Sequence, residues 1–133
     1  MRTVPLALVL LFAVTAVPAG CAGTGGNDVR VDARDNGGRV ALRVGGHLLV
    51  QLSANYSTGY SWKVVSSGEP VLRQAGPPTY VRDSERIGAG GTATFEFVAE
   101  QKGTASLELV YVRPWEKDVK PAETFSLTVV VTE

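Results

Sequence analysis

Residues 39–53 read RVALRVGGHLLVQLS. Val40, Leu42 and Val44 alternate with Arg39, Ala41 and Arg43. Beyond Gly45-Gly46, Leu48, Val50 and Leu52 alternate with His47, Leu49, Gln51 and Ser53. Successive side chains of a strand point to opposite faces, so each run turns one apolar row toward a core. The two glycines between the runs predict a two-residue hairpin. The same period recurs downstream. Phe95 and Phe97 alternate with Thr94, Glu96 and Val98, and Leu107, Leu109 and Tyr111 with Ser106, Glu108 and Val110. Phe125, Leu127, Val129 and Val131 close the chain in the same way.

Turn signals separate these runs: Asn36-Gly37-Gly38, Ser67-Gly68-Glu69-Pro70, Gly76-Pro77-Pro78 and Gln101-Lys102-Gly103. Nowhere do ten or more residues keep a helical period free of breakers. Short strands at regular spacing predict an all-β fold, an immunoglobulin-like β-sandwich of roughly seven or eight strands. A single cysteine, Cys21, excludes an internal disulfide and a Cys-based zinc site. Trp62 and the other aromatics must therefore fill the centre by packing alone.

With 133 residues the chain holds one domain. Its 44% hydrophobic and 20% charged residues suit a globular protein rather than a disordered one. Thirteen basic residues balance thirteen acidic ones without a Lys/Arg cluster, so nucleic acid is not an expected partner. No cofactor or metal is expected, and the domain is read as a monomer.

Residues 1–20 have the pattern of an export signal. Arg2 supplies the positive start, Leu6 to Val14 are uniformly apolar, and small residues follow. The apolar run is shorter than the roughly 20 residues of a membrane-spanning helix. Cys21 follows Ala19-Gly20, as in a bacterial lipobox, where the cysteine is lipidated and anchors the mature chain to a membrane. Pro18 departs from that pattern, standing where an aliphatic residue is usual. Cleavage after Ala19 or Ala22 with simple secretion is the other reading. Either route makes the domain extracytoplasmic, a cell-envelope lipoprotein or a secreted or periplasmic protein. Residues 21–28 are small, polar and Gly-rich and read as a tether, with the folded domain at 29–133.

Three loops stand out. Asn55-Tyr56-Ser57-Thr58-Gly59-Tyr60 runs into Ser61-Trp62, a longer connection than a hairpin needs. Its Asn, Ser and Thr can bond their own backbone, and Gly59 permits a positive φ. Gly88-Ala89-Gly90-Gly91 is either a mobile hairpin tip or bare backbone laid against a partner. It lacks the helix start and Lys-Ser/Thr of a phosphate cradle. Arg113-Pro114-Trp115 ends a strand beside Glu116, Lys117 and Asp118. Trp and Arg are frequent interface anchors, so Trp115 reads as a contact residue and Trp62 as core. The charged segment Arg82–Arg86 reads as mobile and carries no assignable function.

In this order the three loops resemble the chagasin family of cysteine-peptidase inhibitors. Its members carry N-P-T-T-G-Y/F-x-W, then G-x-G-G, then R-P-W; here the motifs are N-Y-S-T-G-Y-S-W, G-A-G-G and R-P-W. The resemblance covers about Val29 to Glu133. It implies a disulfide-free immunoglobulin-like sandwich whose loops wedge into the cleft of a papain-like cysteine peptidase, giving reversible, tight, competitive and non-covalent inhibition. It implies peptidase contacts from Asn55, Tyr56, Ser57, Thr58, Gly59 and Tyr60, with Thr58 and Gly59 nearest the catalytic Cys and His. Gly88, Ala89, Gly90 and Gly91 would lie along the non-primed side, and Arg113, Pro114 and Trp115 along the primed side. Tyr56 replaces the family proline and Ser57 a threonine. Losing proline frees φ at position 56, which predicts a looser first loop.

Enzymatic activity is disfavoured. His47 is the lone histidine, on the outward register of a strand, and no Cys-His or Ser-His-Asp set can be assembled. Asp83, Glu85 and Asp118 have no cue joining them. The alternative is an exported lipoprotein binding module that uses the same loops for another ligand, such as a glycan or an envelope protein.

Overall fold

The computed structural model describes residues 27–133. Residues 1–26, with the expected export signal, Cys21 and most of the tether, lie outside the described residues. Nine strands form among those described: β1 (Asp28–Val31), β2 (Gly38–Arg43), β3 (His47–Ala54), β4 (Ser61–Ser66), β5 (Leu72–Gln74), β6 (Thr79–Arg82), β7 (Gly91–Ala99), β8 (Gly103–Val112) and β9 (Glu123–Thr132). They make two sheets. One has the order β1-β3-β7, with β5 and β6 both on the far edge of β7; the other has the order β2-β9-β8-β4. This is the expected all-β sandwich, with nine strands rather than seven or eight.

The extra strand arises at Gly76-Pro77-Pro78. These residues do not reverse the chain. β5 pairs Leu72 with Ala99 and β6 pairs Thr79 with Thr94, so both segments run the same way along β7. Two consecutive prolines lack the N–H that the ladder needs and interrupt one edge strand.

Gly45-Gly46 is also not a hairpin. β2 pairs in parallel with β9, while β3 pairs with β1 and β7, so the glycines carry the chain from one sheet to the other. Alternation cannot tell a hairpin from such a crossing, because both join two amphipathic strands. Gly46 sits under the carbonyls of Asn27 and Arg43, with no room for a side chain. Among the described residues strand pairing begins at Asp28, one residue before Val29. Asn27 is tied in by hydrogen bonds from Arg43 N–H and to the Ala41 carbonyl, and Asp28 opens β1 opposite His47.

The predicted alternation sets the core. Leu48, Val50 and Leu52 of β3, Phe95 and Phe97 of β7, Leu107 and Leu109 of β8, and Phe125, Leu127, Val129 and Val131 of β9 are all buried. Leu42 is buried and Val40 packs beside the core, but Val44 lies past the end of β2 and is exposed. Trp62 points inward, as expected, and its indole N–H donates to the Ser53 carbonyl at 3.0 Å. Among the described residues no polar or charged residue is buried and no buried side-chain polar atom lacks a partner.

Register decides where function can sit. Ala54 at the end of β3 pairs with Gly91 at the start of β7, which pairs with Arg82 at the end of β6. Ser61 at the start of β4 pairs with Val112 near the end of β8, and Tyr111 pairs with Glu123 at the start of β9. The connections 55–60, 83–90 and 113–122 therefore emerge from one end of the sandwich.

Candidate functional site

The first loop crosses between the sheets, and its sequence makes it self-supporting. Asn55 caps a single 3-10 turn, Tyr56–Thr58, by accepting the Ser57 N–H at 3.1 Å. The Asn55 carbonyl accepts both the Thr58 N–H and the Thr58 hydroxyl, the latter at 2.6 Å. Gly59 ends the turn in the left-handed region at φ 84°, a conformation that carries little penalty only in glycine. From below, the Tyr111 hydroxyl accepts the Asn55 N–H at 2.8 Å.

The second loop is a hairpin tip, closed at its base by the Asp83 N–H donating to the Gly90 carbonyl at 2.9 Å. Arg82 and Arg86 shape it: an Arg82 guanidinium N–H donates to the Arg86 carbonyl, and Ala89 N–H donates to the same carbonyl. The charged segment 82–86 is thus one arm of this loop. Gly88 sits at the tip with φ 81° and open space around it. Gly91 is different. It lies within β7 and is buried, and a methyl group there would overlap the Val81 carbonyl oxygen. Read from sequence as part of an exposed loop, Gly91 instead lets two strands approach closely.

The third loop turns over Pro114-Trp115, with the Glu116 N–H donating to the Arg113 carbonyl at 3.0 Å. Arg113 Nε donates to the Thr58 carbonyl at 3.1 Å, its guanidinium lies 4.4 Å from the Tyr60 ring centre, and a terminal N–H donates to Glu116. Trp115 is 66% exposed, and its six-membered ring covers Gly59 so closely that a methyl group there would overlap it. The first loop also reaches the second: the Asn55 side-chain amide donates to the Gly88 carbonyl at 3.0 Å. All three loops are therefore fastened into one surface through groups of the central one.

Beneath lies an aromatic floor. Tyr60 stacks on Tyr111 with ring centres 5.2 Å apart, and Tyr111 meets Trp62 at 5.1 Å. Tyr56, beside the crest, stacks on Tyr80 at 4.1 Å. Burial, aided by Tyr80 and Tyr111, pushes the Tyr56 hydroxyl above its ordinary pKa. Tyr56, standing where the family has proline, thus packs its ring on Tyr80.

Sequence reasoning missed four contributors. Ile87, fully exposed at the second tip, was legible only as a lone apolar residue in a charged segment. Tyr80 and the Tyr111 hydroxyl act on the first loop from other strands, and nothing local in the sequence marks them, whereas Glu116 acts within the third loop on Arg113. His47 lies at the opposite end of β3, its Nδ1 2.7 Å from Glu96. Among the described residues no group of His, Cys, Asp and Glu is placed to hold a metal ion.

The model for "Chagasin family peptidase inhibitor I42" matches residues 41–129, which span all three loops and both sheets. The chain belongs to the chagasin family of peptidase inhibitors. Chagasin of Trypanosoma cruzi is 29% identical, over 74% of this chain and 93% of that protein. A crystal structure of a cysteine protease inhibitor from Entamoeba histolytica superposes with a TM-score of 0.72 at 21% identity, covering 80% of this chain and 96% of the other. A structure of PbICP-C in complex with falcipain-2 gives 0.53 at 18% identity, covering 85% of this chain and 95% of the matched one. These two likenesses carry the fold alone. The chagasin family consists of inhibitors, so this chagasin-like chain is not an enzyme.

Proposed function

We propose that this family member is a reversible, tight-binding, competitive inhibitor of papain-like cysteine peptidases whose three loops fill the active-site cleft. The observation that carries the reading is the cross-fastening of the loops by Asn55 to Gly88 and Arg113 to Thr58. Loops already held in place lose little conformational entropy on docking, which favours tight association. Thr58 and Gly59 form a slim crest that reaches the catalytic Cys and His without offering an extended strand for cleavage. Gly88 to Gly90, with Ile87, lie on the non-primed side, where an exposed apolar side chain suits an apolar pocket. Trp115 supplies a flat aromatic face on the primed side. No covalent bond to the peptidase is involved.

The amino-terminal features fit the same role. Cys21 is the lipidation site of an exported chain, or that chain is secreted without lipid. β1 begins level with the start of β3, at the end of the sandwich away from the loops. The inhibitor acts as a monomer.

The reading is tested by titrating the chain without its first 21 residues against papain, following hydrolysis of a fluorogenic peptide. Saturable inhibition relieved by excess substrate is expected. Its absence across several papain-like peptidases, with binding to saccharides or envelope proteins instead, would overturn the reading in favour of a redirected binding module. Two substitutions refine it. Trp115→Ala should weaken inhibition by about 1–3 kcal/mol, as for an interface anchor. Arg113→Met keeps much of the apolar stem but breaks the bonds to Thr58 and Glu116. Its expected loss is about 1–2 kcal/mol. Unchanged inhibition constants would remove each residue from the binding surface.

A further inference from the structure

We propose that Tyr80 is a positioning residue for the first loop: its ring clamps Tyr56 and supplies the restraint that a proline at position 56 would supply through its φ. The proposal rests on the inhibitor reading for its functional consequence but not for its structural content. The rings lie 4.1 Å apart and are inclined by only 22°. Tyr80 cannot recede. It stands on β6, half-buried, its hydroxyl donates to the Ala54 carbonyl at 3.2 Å, and its Cζ would lie 2.8 Å from a methyl group on Gly91. Tyr56 is by contrast 38% exposed and depends on that ring for its packing.

The backbone at Tyr56 makes the two restraints interchangeable. Tyr56 is the first residue of the 3-10 turn, where proline is favoured because its missing N–H is not needed. Asn55 before it is extended, with φ −132° and ψ 95°, outside the α region that a following proline disfavours though short of the ψ of about +120 to +160° it prefers. Proline would fix the turn by its ring geometry, whereas here stacking fixes it from outside. Two restraints on one degree of freedom are redundant, so their effects should not add.

The loop's own amides read the clamp directly. Thr58 N–H donates to the Asn55 carbonyl at 3.3 Å and Gly59 N–H to the Tyr56 carbonyl at 3.1 Å, and both bonds open when Tyr56 swings away. Solvent exchange at these amides is measured by NMR on the free protein, beside the inhibition constant for papain, in Tyr80→Ala, Tyr80→Phe, Tyr56→Pro and the double variant Tyr56→Pro/Tyr80→Ala. Tyr80→Ala should speed exchange at Thr58 and Gly59 by roughly three- to tenfold, the range open to an aromatic pair, and weaken inhibition comparably. Tyr80→Phe should retain both properties, since the stack survives without the hydroxyl. In the Tyr56→Pro background, Tyr80→Ala should change neither. Tyr56→Ala removes the exposed half of the pair and should reproduce the loop effect with an unchanged melting temperature, even if Tyr80→Ala perturbs the core. Unaltered exchange in Tyr56→Ala, or equal effects of Tyr80→Ala with and without the proline, would overturn the proposal. If the parent does not inhibit papain while the exchange pattern holds, the clamp stands and the inhibitor reading fails.

Discussion

Gly59→Ala should lower affinity for papain by roughly a hundredfold, with the melting temperature within a few degrees of the parent. Two effects combine. Residue 59 sits at φ 84°, and holding a side chain in the left-handed region costs about 1–2 kcal/mol. The added methyl also overlaps the Trp115 ring, so Trp115 must leave its seat or the crest must shift. Displacing an aromatic anchor costs about 1–3 kcal/mol, and the sum approaches two orders of magnitude in affinity. The fold survives because Gly59 belongs to a surface loop outside the core. Parent-like inhibition by Gly59→Ala, measured in the papain assay, would show that the crest and Trp115 do not act together.

Gly91→Val should reduce stability by about 3 kcal/mol, the upper part of the usual range for overpacking. The new side chain meets backbone: the Val81 carbonyl oxygen lies in its path, and Arg82 Cα is 2.9 Å from the first added carbon. Backbone cannot rotate aside as a flexible side chain can. β6 must lift from β7, which also opens the base of the second loop at Asp83 and Gly90. Calorimetry should show the melting temperature falling by about 10–20 °C, with inhibition weakened in parallel. An unchanged melting temperature would mean that β6 is not packed as described.

Much of the core was legible because two-residue alternation is local: Leu48-Val50-Leu52 and Phe125-Leu127-Val129-Val131 announce their buried face whatever they pair with. Partner choice was not. Gly45-Gly46 looks alike in a hairpin and in a crossing between sheets, and only pairing with β9 and β7 decides. Gly76-Pro77-Pro78 likewise reads as a reversal until both flanks are found on the same edge of β7. At the site, the loop motifs marked residues that are exposed together. Two groups that support them come from elsewhere, Tyr80 from a neighbouring strand and Tyr111 from the opposite sheet. Gly91 shows the reverse error, since a glycine inside a Gly-rich motif can serve close strand packing instead of exposure. The substitution of tyrosine for proline at position 56 could be judged only by its local loss, because the ring it stacks on lies 24 positions away in the chain.

The central claim is that the three loops act as one surface inside a peptidase cleft. Amide hydrogen exchange across the whole domain, with and without saturating papain, tests it most directly. Protection confined to residues 55–60, 83–90 and 113–116, with the outer faces of both sheets unchanged, is the predicted result. Protection on a sheet face, or on one loop with the other two untouched, would contradict it.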